Sequence, residues 1–210
     1  MIKKISLFVV VFSTISICSA QLQFNNFTTT NTGSNGLSCN WMYSIAQQSN
    51  GTMWFSTIMG ICSFDGSSWI DHTETLGMDS TINTYIYHYP GFNTSQNYLC
   101  VDNEDNVWIA DNETGELIKY NPPVSVRYPF PVGFGGIKSI ICDSQDNIWL
   151  AAYIGGVVIF DGSQFTQYTV ADGLGNNHAG VVFQDSHDTI WVAGLQFNSF
   201  FKFGYVHLLI

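Results

Sequence analysis

Positive charge is scarce in this sequence. Only 6 of its 210 residues are Lys or Arg, against 16 Asp and Glu. A chain of this kind has no basic stripe to lay along a phosphate backbone, which excludes nucleic acid binding, and an anionic lipid surface repels it. Charge of either sign is low, at 10 % of residues, while 46 % are hydrophobic. That balance excludes a disordered chain. Helical periodicity is missing after the first twenty residues, which excludes a helix bundle. No apolar run in that remainder is long enough to span a bilayer. Phosphate loops, Gly-x-Ser-x-Gly, Ser-x-x-Lys and zinc motifs are all absent. What remains is aromatic, Gly-rich and rich in β-branched residues, a composition for many short strands and tight turns.

The first twenty residues stand apart. Lys3 and Lys4 precede an apolar run over 5–17, and Cys18-Ser19-Ala20 ends in small residues. This is the layout of a secretory signal peptide over 1–20, with cleavage before Gln21. The run is too short for a comfortable membrane span, and Ile17 is a poor neighbour for a lipidated Cys18. The expected mature protein, 21–210, is secreted or periplasmic. It carries four basic and sixteen acidic residues, a formal charge of −12. Four cysteines remain, Cys39, Cys62, Cys100 and Cys142. Export permits disulfides, with three pairings open, and buried free thiols are an equal alternative.

One sentence is written three times. The chain reads VDNEDNVWIA from Val101, CDSQDNIWLA from Cys142 and QDSHDTIWVA from Gln184. Aligned on Trp54, Trp108, Trp149 and Trp191, the spacings are 54, 41 and 42. Gly36-Leu37 and Gly173-Leu174 both stand eighteen residues before a Trp, whereas the similar Gly77-Met78 stands 31 before Trp108. The excess of 13 places an insertion within 82–95 and restores the period. A period of this length is a supersecondary repeat.

Each unit reads as four short strands. In unit three they fall at 137–142, 147–152, 157–160 and 164–169. Asp161-Gly162, like Asp65-Gly66 in unit one, marks a hairpin between the last two. Four strands per repeat of this length predict an all-β fold, a β-propeller of four-stranded blades at about 36–75, 76–121, 133–169 and 173–210. In the last unit, inner strands are expected at 180–184 and 189–193 and a third strand at 199–203. The stretch 22–29 resembles the outer strand of unit three without a blade of its own. It could complete the last blade and close a ring of four. The apolar stretch 205–210 favours instead an incomplete or truncated ring, because an uncapped repeat array leaves an apolar end.

The unit Gly-Leu-x-x-Asn, Asp-x-x-x-Asn-Ile-Trp, Gly-Val, Phe-Asp-Gly, Phe resembles the two-component regulator propeller repeat. The matching residues are Gly173, Leu174 and Asn177 in unit four. In unit three they are Asp143, Asn147, Ile148, Trp149, Gly156, Val157, Phe160, Asp161, Gly162 and Phe165. The resemblance implies a β-propeller of the kind found in extracytoplasmic sensor regions. It also implies ligand or partner binding on the propeller face.

Against that frame the loud residues are architectural. A Trp at a fixed blade position fills the space between blades. The pairs Asp102/Asp105, Asp143/Asp146 and Asp185/Asp188 lack the dense alternation of a Ca²⁺ loop and suit turns, whose backbone N–H groups an Asp accepts. No two of His72, His88, His178, His187 and His207 have ligand spacing, so no metal and no cofactor are expected. The candidate ligand-binding residues lie in loops after outer strands and after second strands: Asn40, Trp41, Tyr153, Asn177 and His178. A small molecule or saccharide is the expected ligand, with a protein partner or further blades as alternatives. An enzyme resembling streptogramin lyases or lactonases is the second reading. Glu74, Glu104 and Glu116 do not fall at axis-facing positions, which weighs against it. A structural surface repeat protein is the third.

Overall fold

The structure, a computed structural model, describes residues 26–33, 36–78, 96–194 and 206–208. The expected leader, the start of the stretch 22–29, the expected insertion at 82–95 and the third strand expected at 199–203 lie outside the described residues.

Strands arise where β-branched and aromatic residues run between turn residues, and they sort into four antiparallel sheets in chain order. Blade 1 holds β1 (Met42–Gln47), β2 (Met53–Thr57), β3 (Gly60–Phe64) and β4 (Trp69–Asp71). Blade 2 holds β5 (Tyr98–Val101), β6 (Val107–Asp111), β7 (Glu116–Asn121) and β8 (Val124–Pro129). Its outer strand thus runs past residue 121. Blade 3 holds β9 (Ile137–Cys142), β10 (Ile148–Ala152), β11 (Gly156–Phe160) and β12 (Phe165–Tyr168). Blade 4 holds β13 (Ala179–Gln184), β14 (Ile190–Gly194) and β15 (Val206–Leu208), which pairs with β14. Among the described residues no helix is long and apolar enough to cross a membrane.

The Trp residues pack between blades. Trp54 sits in a cluster with Leu99, Val107, Ile109 and Tyr120 of blade 2. Trp108 packs with Ile140, Ile148 and Phe160 of blade 3, and Trp149 with Ala179, Val182, Ile190 and Val192 of blade 4. Truncating such a residue to Ala costs roughly 3–5 kcal/mol. Gly156 shows how closely each blade is drawn. Its φ is +78°, and a Cβ there would collide with the Tyr168 carbonyl. Only Gly permits both.

The turn below each Trp is equally uniform. Asp102, Asp143 and Asp185 accept the indole N–H six residues on, at 2.7, 2.8 and 2.7 Å. Their other oxygen accepts backbone N–H groups two and four residues on. Gln48 does the same for Trp54 at 2.9 Å. The second Asp of each pair adopts left-handed backbone, φ 63°, 63° and 61° at Asp105, Asp146 and Asp188. Two of these reach the preceding blade. Asp105 accepts the Ser49 N–H at 2.7 Å, and Asp146 accepts the Asn103 N–H at 2.8 Å. The carboxylates hold turns and blade boundaries.

Inner strands pack in chain order, β1 on β5, β5 on β9 and β9 on β13. No comparable contact joins β13 to β1 among the described residues. Ile45 on β1 and Val181 and Phe183 on β13 stay exposed, so the described blades form an open arc. Phe27 packs on Phe64 and Trp69 of blade 1, at 5.3 and 5.6 Å between ring centres, and not on blade 4. Tyr128 of β8 meets Phe160 of blade 3 in the same way, at 4.6 Å. Residues 26–28 belong to no sheet. Cys100 and Cys142 form a disulfide between inner strands β5 and β9, leaving Cys39 and Cys62 free.

Candidate functional site

Each inner strand begins at the same rim of the arc and ends at the opposite rim, at the turn that opens on Gln48, Asp102, Asp143 or Asp185. Near the start of β1 the pairing jumps from Met42↔Thr57 to Ser44↔Ser56 and skips Tyr43. In β9 it jumps from Ile137↔Ala152 to Ser139↔Ala151 and skips Lys138. In β13 it skips Gly180. All three lie eleven residues before their Trp. Each is therefore the extra residue of a β-bulge at one fixed blade position, a device that re-aims a side chain at a rim. The scaffold is constant there and the side chain is not: Tyr, Lys and Gly.

The side chains at this rim connect across blades. The Tyr43 and Tyr98 rings lie 6.4 Å apart between centres. The Tyr98 hydroxyl donates to Gln96 Oε1 at 3.0 Å, and the Lys138 ammonium donates to the same oxygen at 3.3 Å. Lys138 Nζ also lies 5.7 Å from the centre of the Tyr153 ring. Tyr153 meets His178 edge-on at 5.5 Å. The His178 N–H donates to Asn176 Oδ1 at 2.9 Å, and its ring Nδ1 lies 3.0 Å from the same oxygen. Every one of these residues is half-buried. Desolvation by burial lowers the Lys138 pKa. Burial, then the nearby Tyr43, raises the Tyr98 pKa. A run of three Tyr, one Lys and one His can stack against a ring and hydrogen-bond its substituents.

Of the residues expected to bind ligand, Tyr153, Asn177 and His178 come together at the boundary of blades 3 and 4. Asn40 and Trp41 stand at the start of blade 1. Trp41 is 59 % exposed. The two Asn side chains serve the backbone. Asn177 Oδ1 accepts the Val170 N–H at 2.7 Å, and Asn40 Oδ1 accepts the Thr29 N–H at 2.9 Å. The Asn177 carbonyl also accepts from Gly155 and Gly156, tying this loop to blade 3. These repeated Asn residues lock the loops on which Trp41 and His178 are carried. Tyr43 and Lys138 were not legible as site residues, because a bulge is invisible in a period-two pattern, and Tyr98 and Gln96 join the site only through contacts across blades. Comparing the residue eleven before each Trp would have found Tyr43 and Lys138.

His72 is buried between blades 1 and 2 rather than facing outward from an outer strand. It stacks on Trp54 at 4.4 Å, with Ser63 Oγ 2.8 Å from Nε2 and the Tyr120 hydroxyl 3.2 Å from Nδ1. A cavity of about 540 Å³ lies toward the Asp-turn rim, between Trp149 and Tyr168 of blade 3 and His187 of blade 4. At the two preceding boundaries Tyr120 and Phe160 pack beside the Trp. At the corresponding place in blade 4, β15 sets Leu208 opposite Ile190, so this space belongs to blade packing.

Residues 36–59 match the two component regulator propeller family. No curated protein matches the chain. Among solved structures, it is similar to the extracellular domain of a hybrid two component system from B. thetaiotaomicron. That match has 19 % identity and a TM-score of 0.58 and covers 82 % of this chain and 22 % of that one. A second such domain matches with 19 % identity and a TM-score of 0.56, over 80 % of this chain and 22 % of its own. Virginiamycin B lyase from Staphylococcus aureus matches with 13 % identity and a TM-score of 0.56, over 88 % of this chain and 58 % of its own. The chain thus spans less than a quarter of those extracellular domains. At these identities the likeness is one of fold. The chain is built of β-propeller blades, and residues 36–59, at its first blade, match the two component regulator propeller model.

Proposed function

We propose that this chain is an extracytoplasmic recognition module that takes a small-molecule ligand, a saccharide in the first instance, on the rim opposite the Asp turns. One observation carries the reading: Tyr43, Tyr98, Lys138, Tyr153 and His178 are linked across four successive blades. A repeat that keeps its Trp and the indole acceptor six residues before it while varying one bulge position separates scaffold from recognition. The extracellular domains it resembles and the leader-like first twenty residues support a location outside the cytoplasm.

Titration of the mature protein with a panel of neutral and acidic oligosaccharides by isothermal calorimetry tests this. Binding that Tyr98→Ala weakens by about tenfold, the scale of one lost aromatic contact, supports the reading. The same panel is assayed for cleavage products. Turnover abolished by His178→Ala would replace the recognition module with an enzyme.

A further inference from the structure

We propose that the rim site selects an anionic ring-bearing ligand, with Lys138 receiving its carboxylate or sulfate. The inference rests on the recognition reading above and adds the ligand's charge.

Three basic side chains are described. Lys119 lies 3.9 Å from Asp102 and 3.8 Å from Glu104, and Arg127 lies 2.7 Å from Glu116. Lys138 alone forms no ion pair among the described residues. Its ammonium has three donors, and the described residues supply one neutral acceptor, Gln96 Oε1, and one aromatic face, Tyr153. Among the described residues no carboxylate compensates this half-buried cation, and a ligand anion is a partner that would complete it.

The position agrees. Lys138 is the extra residue of a bulge, so the strand displays it at the rim instead of packing it between blades. The acidic turns at Asp102, Asp143 and Asp185 lie at the far ends of the inner strands. At physiological salt, charges beyond about 8 Å are largely screened, so the negative charge of the whole chain does not cancel a local cation. Tyr98 and Gln96 flank the ammonium with groups that donate to, or accept from, ring hydroxyls. Tyr153 and His178 add ring faces and edges beside it.

Two measurements test the assignment. In the first, calorimetry compares digalacturonate with its dimethyl ester, and a sulfated disaccharide with its unsulfated parent, on wild type and Lys138→Met. Wild type should prefer a charged member by about tenfold, the scale of a charge-assisted hydrogen bond, and Lys138→Met should erase that preference. Which pair shows the preference separates carboxylate from sulfate. Equal affinity within both pairs, with Lys138→Met inert, overturns the anion assignment and leaves a neutral recognition site. In the second, lysines carrying ¹³C-methyl groups are followed by NMR as sodium sulfate is added. The Lys138 signal should move and saturate while that of Lys119 stays put. Lys138 moving no more than Lys119 overturns the assignment whichever saccharide is bound. Circular dichroism confirms that Lys138→Met is folded.

Discussion

The Asp146 carboxylate accepts the backbone N–H of Asn103 at 2.8 Å, across the boundary between the second and third blades. Asp105 and Ser49 repeat the contact one blade earlier, with the Ser49 hydroxyl adding a second bond at 2.5 Å. The burial of Asp102 and Asp143 beneath their Trp residues completes the set. A carboxylate recurring at a fixed blade position is therefore an element of assembly.

The latch has a measurable size. Asp146→Gly keeps the left-handed backbone and removes only the acceptor, so it should lower unfolding free energy by about 1 kcal/mol. Asp146→Ala also loses the acceptor and, like the wild-type Asp, keeps a Cβ at positive φ, but without the short polar side chain that makes Asp tolerable there, so it should be the less stable of the two variants. Urea melts of the two variants check the order. Equal stability of both with wild type contradicts the latch.

Asp143→Ala should be more damaging. It leaves the buried Trp149 indole N–H and two turn N–H groups without their acceptor. A loss of about 2–3 kcal/mol is expected, with ligand affinity unchanged once the protein is folded. Chemical denaturation, with affinity measured below the transition, checks both halves.

His72 gives the stability its pH dependence near neutrality. Burial lowers its pKa from the usual value of 6.5. The unfolded chain then binds the proton more readily than the folded one. Stability is full above about pH 6.5 and falls as pH drops through the folded value. The lowered carboxylates, such as Asp105 and Asp185, lose their contribution only below the usual 3.8. Melting curves between pH 8 and pH 5 therefore separate His72 from these carboxylates, and His72→Gln should reduce their slope. An unchanged slope in that variant contradicts the assignment.

The two remaining thiols should differ in reactivity. Burial pushes the Cys62 thiol up to about 12, while Cys39 is half-exposed. Under native conditions a thiol reagent should label Cys39 and spare Cys62, because the thiolate is the reactive form. Reduction of Cys100–Cys142, separated by 42 residues, should cost about 2–4 kcal/mol. Mass spectrometry of labelled peptides and melts with reductant check these outcomes.

The blades were legible because their cause is local. Trp149, Asp143 and Asp161-Gly162 each state their role within a few residues. The strands of blade 3 begin and end within about one residue of their predicted places. What depends on a neighbouring blade was not legible. The pairing of Cys100 with Cys142 and the reach of Asp146 to Asn103 need two sheets side by side. The site was legible in part for the same reason. Tyr153 and His178 lie in loops that vary visibly between units. Tyr43 and Lys138 are hidden inside strands, where one bulged residue changes which way a side chain faces.

The central claim is that the repeated Asp rim is scaffold and the opposite rim is the site of recognition. Backbone NMR shift mapping with an oligosaccharide identified by calorimetry tests it most directly. The account predicts shifted amides at Tyr43, Tyr98, Lys138, Tyr153 and His178, with the turns at Asp102, Asp143 and Asp185 unmoved. Shifts concentrated at those Asp turns, with the Tyr and Lys rim silent, would contradict it.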